Sequence, residues 1–286
     1  MTRRHVAPNS LACVAFGATP VLPPFARADT AERQWLRGVA LGAAGFYAAA
    51  QAQLVENVRT PLGSLGQPGD RAVRSLSLST MASLQRQLGR YAAAATLDGR
   101  ALQLATTAGD TTVVRAADGA KCQIAEAWCD AITGLAADAI GAWRLAVAGR
   151  LLERLDEELE RCDVGDSRHL WRQWVRRDWV RCELALYSGA GTAGRRYAES
   201  ALDRARTCAS LRHQIKSELM VAAALSATGD TRGASSLAWR CLYASEIHGL
   251  YPLAWAAACL IPGESGADER KDAFERVLHR RGGAFV

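Results

Sequence analysis

The stretch Leu88-Gly89-Arg90-Tyr91-Ala92-Ala93-Ala94, continued by Ala101, Leu102 and Leu104, decides the fold. Gly89 separates two runs of helix-forming residues. Glycine adopts the left-handed conformation without strain, so it can end one helix and let the next begin. The small residues after it allow two antiparallel helices to approach closely. Gly45, Gly134, Gly189 and Gly229 have similar surroundings, giving steps of 44, 45, 55 and 40 residues.

Other positions align with these markers. Seven residues before them stand Gly38, Ala82, Ala127, Cys182 and Ala222. Five after are Ala50, Ala94, Ala139, Gly194 and Ala234, and twelve after are Asn57, Ala101, Ala146, Ala201 and Cys241. Thirteen after are Val58, Leu102, Val147, Leu202 and Leu242, all apolar. Such columns describe stacked hairpins, none of which can bury both of its faces alone.

The Gly-x-Tyr-x-x-Ala and Ala-Leu-x-Leu pattern at Gly89 resembles the tetratricopeptide repeat, in a form longer than 34 residues and without the closing Pro. The resemblance covers residues 30–245. It implies an all-α superhelix, a solenoid of about six stacked antiparallel hairpins, and a bacterial regulatory, scaffold or chaperone-like role. Residues 1–29 are expected to be a disordered leader, and 30–286 the repeat domain. Expected helices are 30–43, 47–59, 71–87, 91–107, 111–133, 136–160, 168–187, 193–208, 211–227, 232–247, 251–260 and 268–280. Asp29 is the expected N-cap of the first, with Glu32 completing a capping box.

Composition agrees with a helical globular chain. Apolar residues make up 49%, charged residues 22%, and there are only 8 Pro in 286 residues. Scarce Pro and abundant Ala favour helix. The net charge of +6 suits an acidic partner. None of the eight Cys forms a C-x-x-C pair, which fits the cytoplasm better than a disulfide framework. Arg3, Arg4, the apolar run from Leu11 to Leu22 and Ala26-Arg27-Ala28 leave an exported protein with a signal peptide as the alternative. No segment is long and apolar enough to be read as a membrane span.

Motifs for chemistry are few. Gly189-Ala190-Gly191-Thr192-Ala193-Gly194 spells G-x-G-x-x-G, but helical spacing precedes it where a dinucleotide fold needs a strand. Cys122 and Cys129 share a helix face as core residues rather than metal ligands. No catalytic, cofactor-binding or metal-binding residue is assigned. Thirteen before the markers, Lys121, Arg176 and Lys216 recur in consecutive hairpins. Such a column could form a ladder that holds a carboxylate-rich peptide, with Trp179 and Trp128 as aromatic neighbours. The expected function is therefore a non-enzymatic protein-interaction scaffold binding an acidic peptide or partner protein in its groove. The alternative is a nucleic-acid binder using Trp171, Trp174 and Trp179 interleaved with Arg172, Arg176 and Arg177.

Overall fold

The computed structural model describes residues 10–20, 22–59, 68–106, 119–162 and 170–285, with the side chains of 68 and 119–122 outside that description. Among the described residues there is no strand. A short helix α1 (Leu11–Phe16) precedes six antiparallel hairpins. These pair α2 (Ala31–Ala43) with α3 (Tyr47–Arg59), α4 (Pro68–Gln87) with α5 (Tyr91–Thr106), and α6 (Gly119–Gly141) with α7 (Leu145–Cys162). Then follow α8 (Trp171–Tyr187) with α9 (Gly191–Arg206), α10 (Leu211–Ala227) with α11 (Thr231–Ile247), and α12 (Tyr251–Ala258) with α13 (Ala267–Arg280). The all-α superhelix of about six hairpins is what the chain forms.

The turns show why. Gly45, Gly89, Gly189 and Gly229 have φ of 81°, 82°, 73° and 88°. After each, an N–H reaches back five residues to a carbonyl: Phe46 to Leu41, Arg90 to Gln85, Ala190 to Ala185 and Asp230 to Leu225, at 2.8–3.0 Å. This left-handed cap satisfies carbonyls that a helix end leaves open.

The third turn corrects the repeat register. Its cap bond runs from Arg144 to Ala139, 2.7 Å, and its left-handed residue is Trp143 at φ 58°. Gly134 lies inside α6, where a Cβ would collide with the Asp98 carboxylate of α5. The steps are thus 44, 54, 46 and 40 residues. The sequence offered a glycine at the expected spacing, while the true turn carries a residue that rarely adopts positive φ. Helices expected at 111–133 and 136–160 are accordingly α6 and α7.

In the corrected register the small-residue columns hold. Seven before the turn residue stand Gly38, Ala82, Ala136, Cys182 and Ala222; five after stand Ala50, Ala94, Ala148, Gly194 and Ala234; all ten are buried. A Cβ on Gly38 would lie 2.6 Å from the Leu54 side chain of the paired helix. The column thirteen after does not hold, because Asp156 replaces Val147 in it.

The array bends until its last hairpin meets its first. The Ala48 N–H donates to the Arg281 carbonyl at 3.0 Å, and Arg281 Nη1 donates to the Ala44 carbonyl at 2.8 Å. The Arg281 guanidinium lies over the rings of Phe46, 3.8 Å, and Tyr251, 4.7 Å. Arg90 donates to the Ala284 carbonyl, and Leu278 sits in one apolar cluster with Trp35 and Leu54. A ring results, with the first helices of the hairpins turned inward.

The described part of the leader is not the disordered stretch that its prolines suggest. Ser10 caps α1, and Leu11, Val14 and Ala15 are buried. The apolar run between Leu11 and Phe16 finds a hydrophobic surface on α2, so it folds onto the ring. The N-cap of α2 is Thr30, whose hydroxyl accepts from the Arg33 N–H; Asp29 pairs with the Arg33 side chain at 3.3 Å instead.

Ring closure depends on Gly282, at φ 89°, where a Cβ would lie 2.6 Å from Ala48 Cβ and 2.9 Å from its backbone nitrogen. Gly282→Ala is expected to lower unfolding stability by about 1–3 kcal/mol through strain and collision. Denaturant unfolding checks this; unchanged stability would mean that the closure contributes nothing.

Candidate functional site

The first helices enclose a lumen. Ten residues before each turn residue stand Trp35, Ser79, Thr133, Trp179 and Leu219; six before stand Val39, Ser83, Ala137, Glu183 and Ala223. All ten line one cavity of about 700 Å³. The two columns are four apart, so they share one face of each helix. Helix α12 adds Pro252, Leu253 and Trp255. This is within the size range of pockets that take small ligands.

The aromatic walls are held in place. Trp35 Nε1 donates to Thr80 Oγ1 at 3.0 Å, and Trp179 Nε1 donates to Ser217 Oγ at 2.9 Å, each tying one first helix to the next. His213 stacks on Trp179 at 5.4 Å and shares a hydrogen bond with Ser210 through Nδ1, 2.7 Å. Burial, then the neighbouring Arg212, Arg172 and Arg176, push its pKa well below the ordinary histidine value, so the imidazole is neutral. Phe16 reaches in from α1, 5.7 Å from Trp35 and 6.1 Å from His213. The Gly17 carbonyl accepts from the Leu211 N–H at 3.2 Å, so α1 bridges from α2 to α10.

Five cationic side chains line the cavity: Arg86, Arg172, Arg176, Arg212 and Lys216. Four have carboxylates. Arg86 lies between Asp98, 2.5 Å, and Asp138, 2.6 Å. Arg172 and Arg176 share Asp130 at 2.5 and 2.7 Å. Lys216 is 4.0 Å from Glu183 and 5.4 Å over the Trp179 ring. Buried opposite charges need such pairing, since desolvation of each ion costs several kcal/mol, of the order of the attraction itself.

The expected site residues divide. Arg176, Lys216 and Trp179 come together in the lumen. Trp128 does not; it packs between core clusters, with Arg154 5.9 Å over its ring. The Lys121 side chain lies outside the described residues. In the corrected register the rung before Arg176 is Asp130, so the ladder contains its own counter-ion and is not a run of cations. Arg86, Arg212 and Asp130 escaped the sequence reading, and Arg172 entered it only through the nucleic-acid alternative. Arg172 and Arg212 precede Arg176 and Lys216 by four residues, one helical turn, and a search for same-face partners would have found them.

Helix α8 also carries the arginines of the nucleic-acid alternative. Arg177 bonds Asp156 and Asp178, each at 2.6 Å, and Arg181 bonds Asp156 at 2.5 Å. With Arg172 and Arg176 on Asp130, the interleaved arginines face carboxylates of this chain. Gly189 of the G-x-G-x-x-G stretch is a turn between two helices, with no strand before it. Among the described residues no group of His, Cys, Asp and Glu could hold a metal ion, and no helix is long and apolar enough to cross a membrane.

No protein-family model matches the chain. No curated protein matches it.

Asp98 supplies a pH test. Burial raises its pKa to about 7 against the pull of Arg86, compared with about 3.9 in an unfolded chain. A carboxyl shifted upward contributes stability that is complete below pH ~4 and lost as pH rises through ~7. The melting temperature of wild type relative to Asp98→Asn should therefore fall between pH 5 and pH 8. A difference that stays constant or grows would contradict this.

Proposed function

We propose that this protein is a non-enzymatic interaction scaffold of the tetratricopeptide-like kind, which holds an acidic ligand, such as the end of a partner peptide, in the lumen of its ring. The observation that supports this most is the pair of inward columns. In all five hairpins with an aligned turn, the same two positions line one cavity, and three of the expected binding residues lie there. Ring closure shapes the partner. A folded domain cannot lie along a concave face that is shut into a ring, whereas a chain end or a small molecule can enter. The lumen carries cations beside aromatic rings, which suits an acidic group on an apolar body.

The nucleic-acid reading has less support, because the arginines of α8 are paired within the chain. A regulatory or adaptor role follows from the resemblance alone.

Affinity capture with the full chain tests the scaffold reading. A partner held by wild type and by Trp128→Ala, but released by Trp179→Ala and by Lys216→Glu, is the expected result. Loss of capture should be about 10-fold or more for Trp179, since truncating an aromatic anchor at an interface commonly costs about 2 kcal/mol or more. Helical circular dichroism should be unchanged in all variants. Capture that survives both lumen substitutions would move the binding face to the outside of the ring.

A further inference from the structure

Arg212 differs from the other lumen cations. It lines the cavity from the first turn of α10. Among the described residues no carboxylate lies within ion-pair distance of it. Its guanidinium lies 5.6 Å from the centroid of the Phe16 ring, which the Arg172 guanidinium also overlies at 5.1 Å. Burial, followed by repulsion from Arg172 and Arg176, lowers its pKa to about 10. An unpaired charge in such surroundings is costly and is rarely retained without a partner. Trp255 lines the same cavity. The Trp255 Nε1–H is buried without a hydrogen-bond acceptor, its ring stacked on Phe285 at 4.4 Å.

We infer that Arg212 anchors an oxyanion site in the lumen, and that the ligand is a flat aromatic monocarboxylate. The assignment rests on the lumen being the binding site. One guanidinium without a carboxylate calls for one negative charge on the ligand: Arg86 has Asp98 and Asp138, Arg172 has Asp130 and, at 3.7 Å, Glu126, Arg176 has Asp130, Lys216 has Glu183, and Arg212 has none among the described residues. A planar guanidinium matches a carboxylate through two parallel N–H···O bonds. The aromatic side chains of Phe16, Trp35 and Trp179 line the same cavity, and an aromatic body on the ligand suits them. The same chemistry could come from a free aromatic acid or from the last residue of a peptide ending in Trp or Phe.

Calorimetry and thermal melts with the full chain test this with four probes: 2-naphthoate, 2-naphthamide, Gly-Gly-Trp with a free carboxylate, and its C-terminal amide. At least one carboxylate should bind and raise the melting temperature, and its amide should not. If only 2-naphthoate binds, the source is a small acid; if only the free peptide binds, it is a chain end. Arg212→Gln should weaken binding about 10- to 100-fold, as expected for a charge-assisted bond, and Arg212→Lys should restore part of it. Without ligand, Arg212→Gln should melt higher than wild type, since it removes an unpaired charge; an arginine kept for structure would do the reverse. Amides that bind as well as acids, or an Arg212→Gln variant that binds as wild type does, would overturn the Arg212 site and leave the lumen as a binding site. No binding by any probe, with partner capture still sensitive to Trp179, would overturn the ligand class alone.

Discussion

Two antiparallel helices approach closely only where small side chains meet, and in this chain those contacts lie at fixed distances from a left-handed turn residue. Gly38, Ala82, Ala136, Cys182 and Ala222 on the first helices, and Ala50, Ala94, Ala148, Gly194 and Ala234 on the second, are all buried. Once the turn and the close contacts are set, the remaining faces follow from helix periodicity. The positions ten and six before each turn then point inward, whatever residues occupy them. Five hairpins with unlike inner surfaces therefore build one continuous lumen.

The inner surface is unusual in carrying charge. An all-apolar lumen would collapse or aggregate less specifically, but guanidinium and carboxylate groups withdrawn from water need partners of opposite sign. The chain supplies them from neighbouring helices: Asp98 of α5 and Asp138 of α6 face Arg86 of α4, while Asp130 of α6 faces Arg172 and Arg176 of α8. The pairs of Arg86 with Asp138 and of Asp130 with Arg172 and Arg176 each span two hairpins, so these charges also fix how the hairpins sit against one another. Burial raises both Asp98 and Asp138 above their ordinary range against the pull of Arg86, and the charge of Asp138 adds to the rise of Asp98. The same arrangement that orders the ring makes it sensitive to pH.

Closure changes what the repeat can do. An open superhelix offers a groove along which an extended partner can lie. Here Arg281, Gly282 and Gly283 lay the C-terminal turn on the start of α3, and Phe16 of α1 reaches the lumen between Arg172 and Arg212. On the proposed reading, recognition is confined to what fits inside, and aromatic and cationic groups lie together on a small surface. The exposed Trp143, in its positive-φ turn, holds its ring 5.3 Å from that of Tyr187, which lines the cavity.

Sequence alone determined the class of fold, the number of hairpins and most of their turns, because glycine conformation and small-residue spacing are local properties. It also pointed to Arg176, Lys216 and Trp179, which share a periodic position with other first-helix residues. It misplaced the third turn, where Trp143 takes a conformation that its side chain disfavours while Gly134, at the expected spacing, serves instead to admit Asp98. That error hid Asp130 from the ladder. Tertiary structure decided the closure of the ring, the pairing of the buried charges, the docking of α1 and the isolation of Arg212. These depend on residues up to 237 positions apart, such as Ala44 and Arg281, whose approach is set by the accumulated bend of six hairpins and leaves no local trace in the chain.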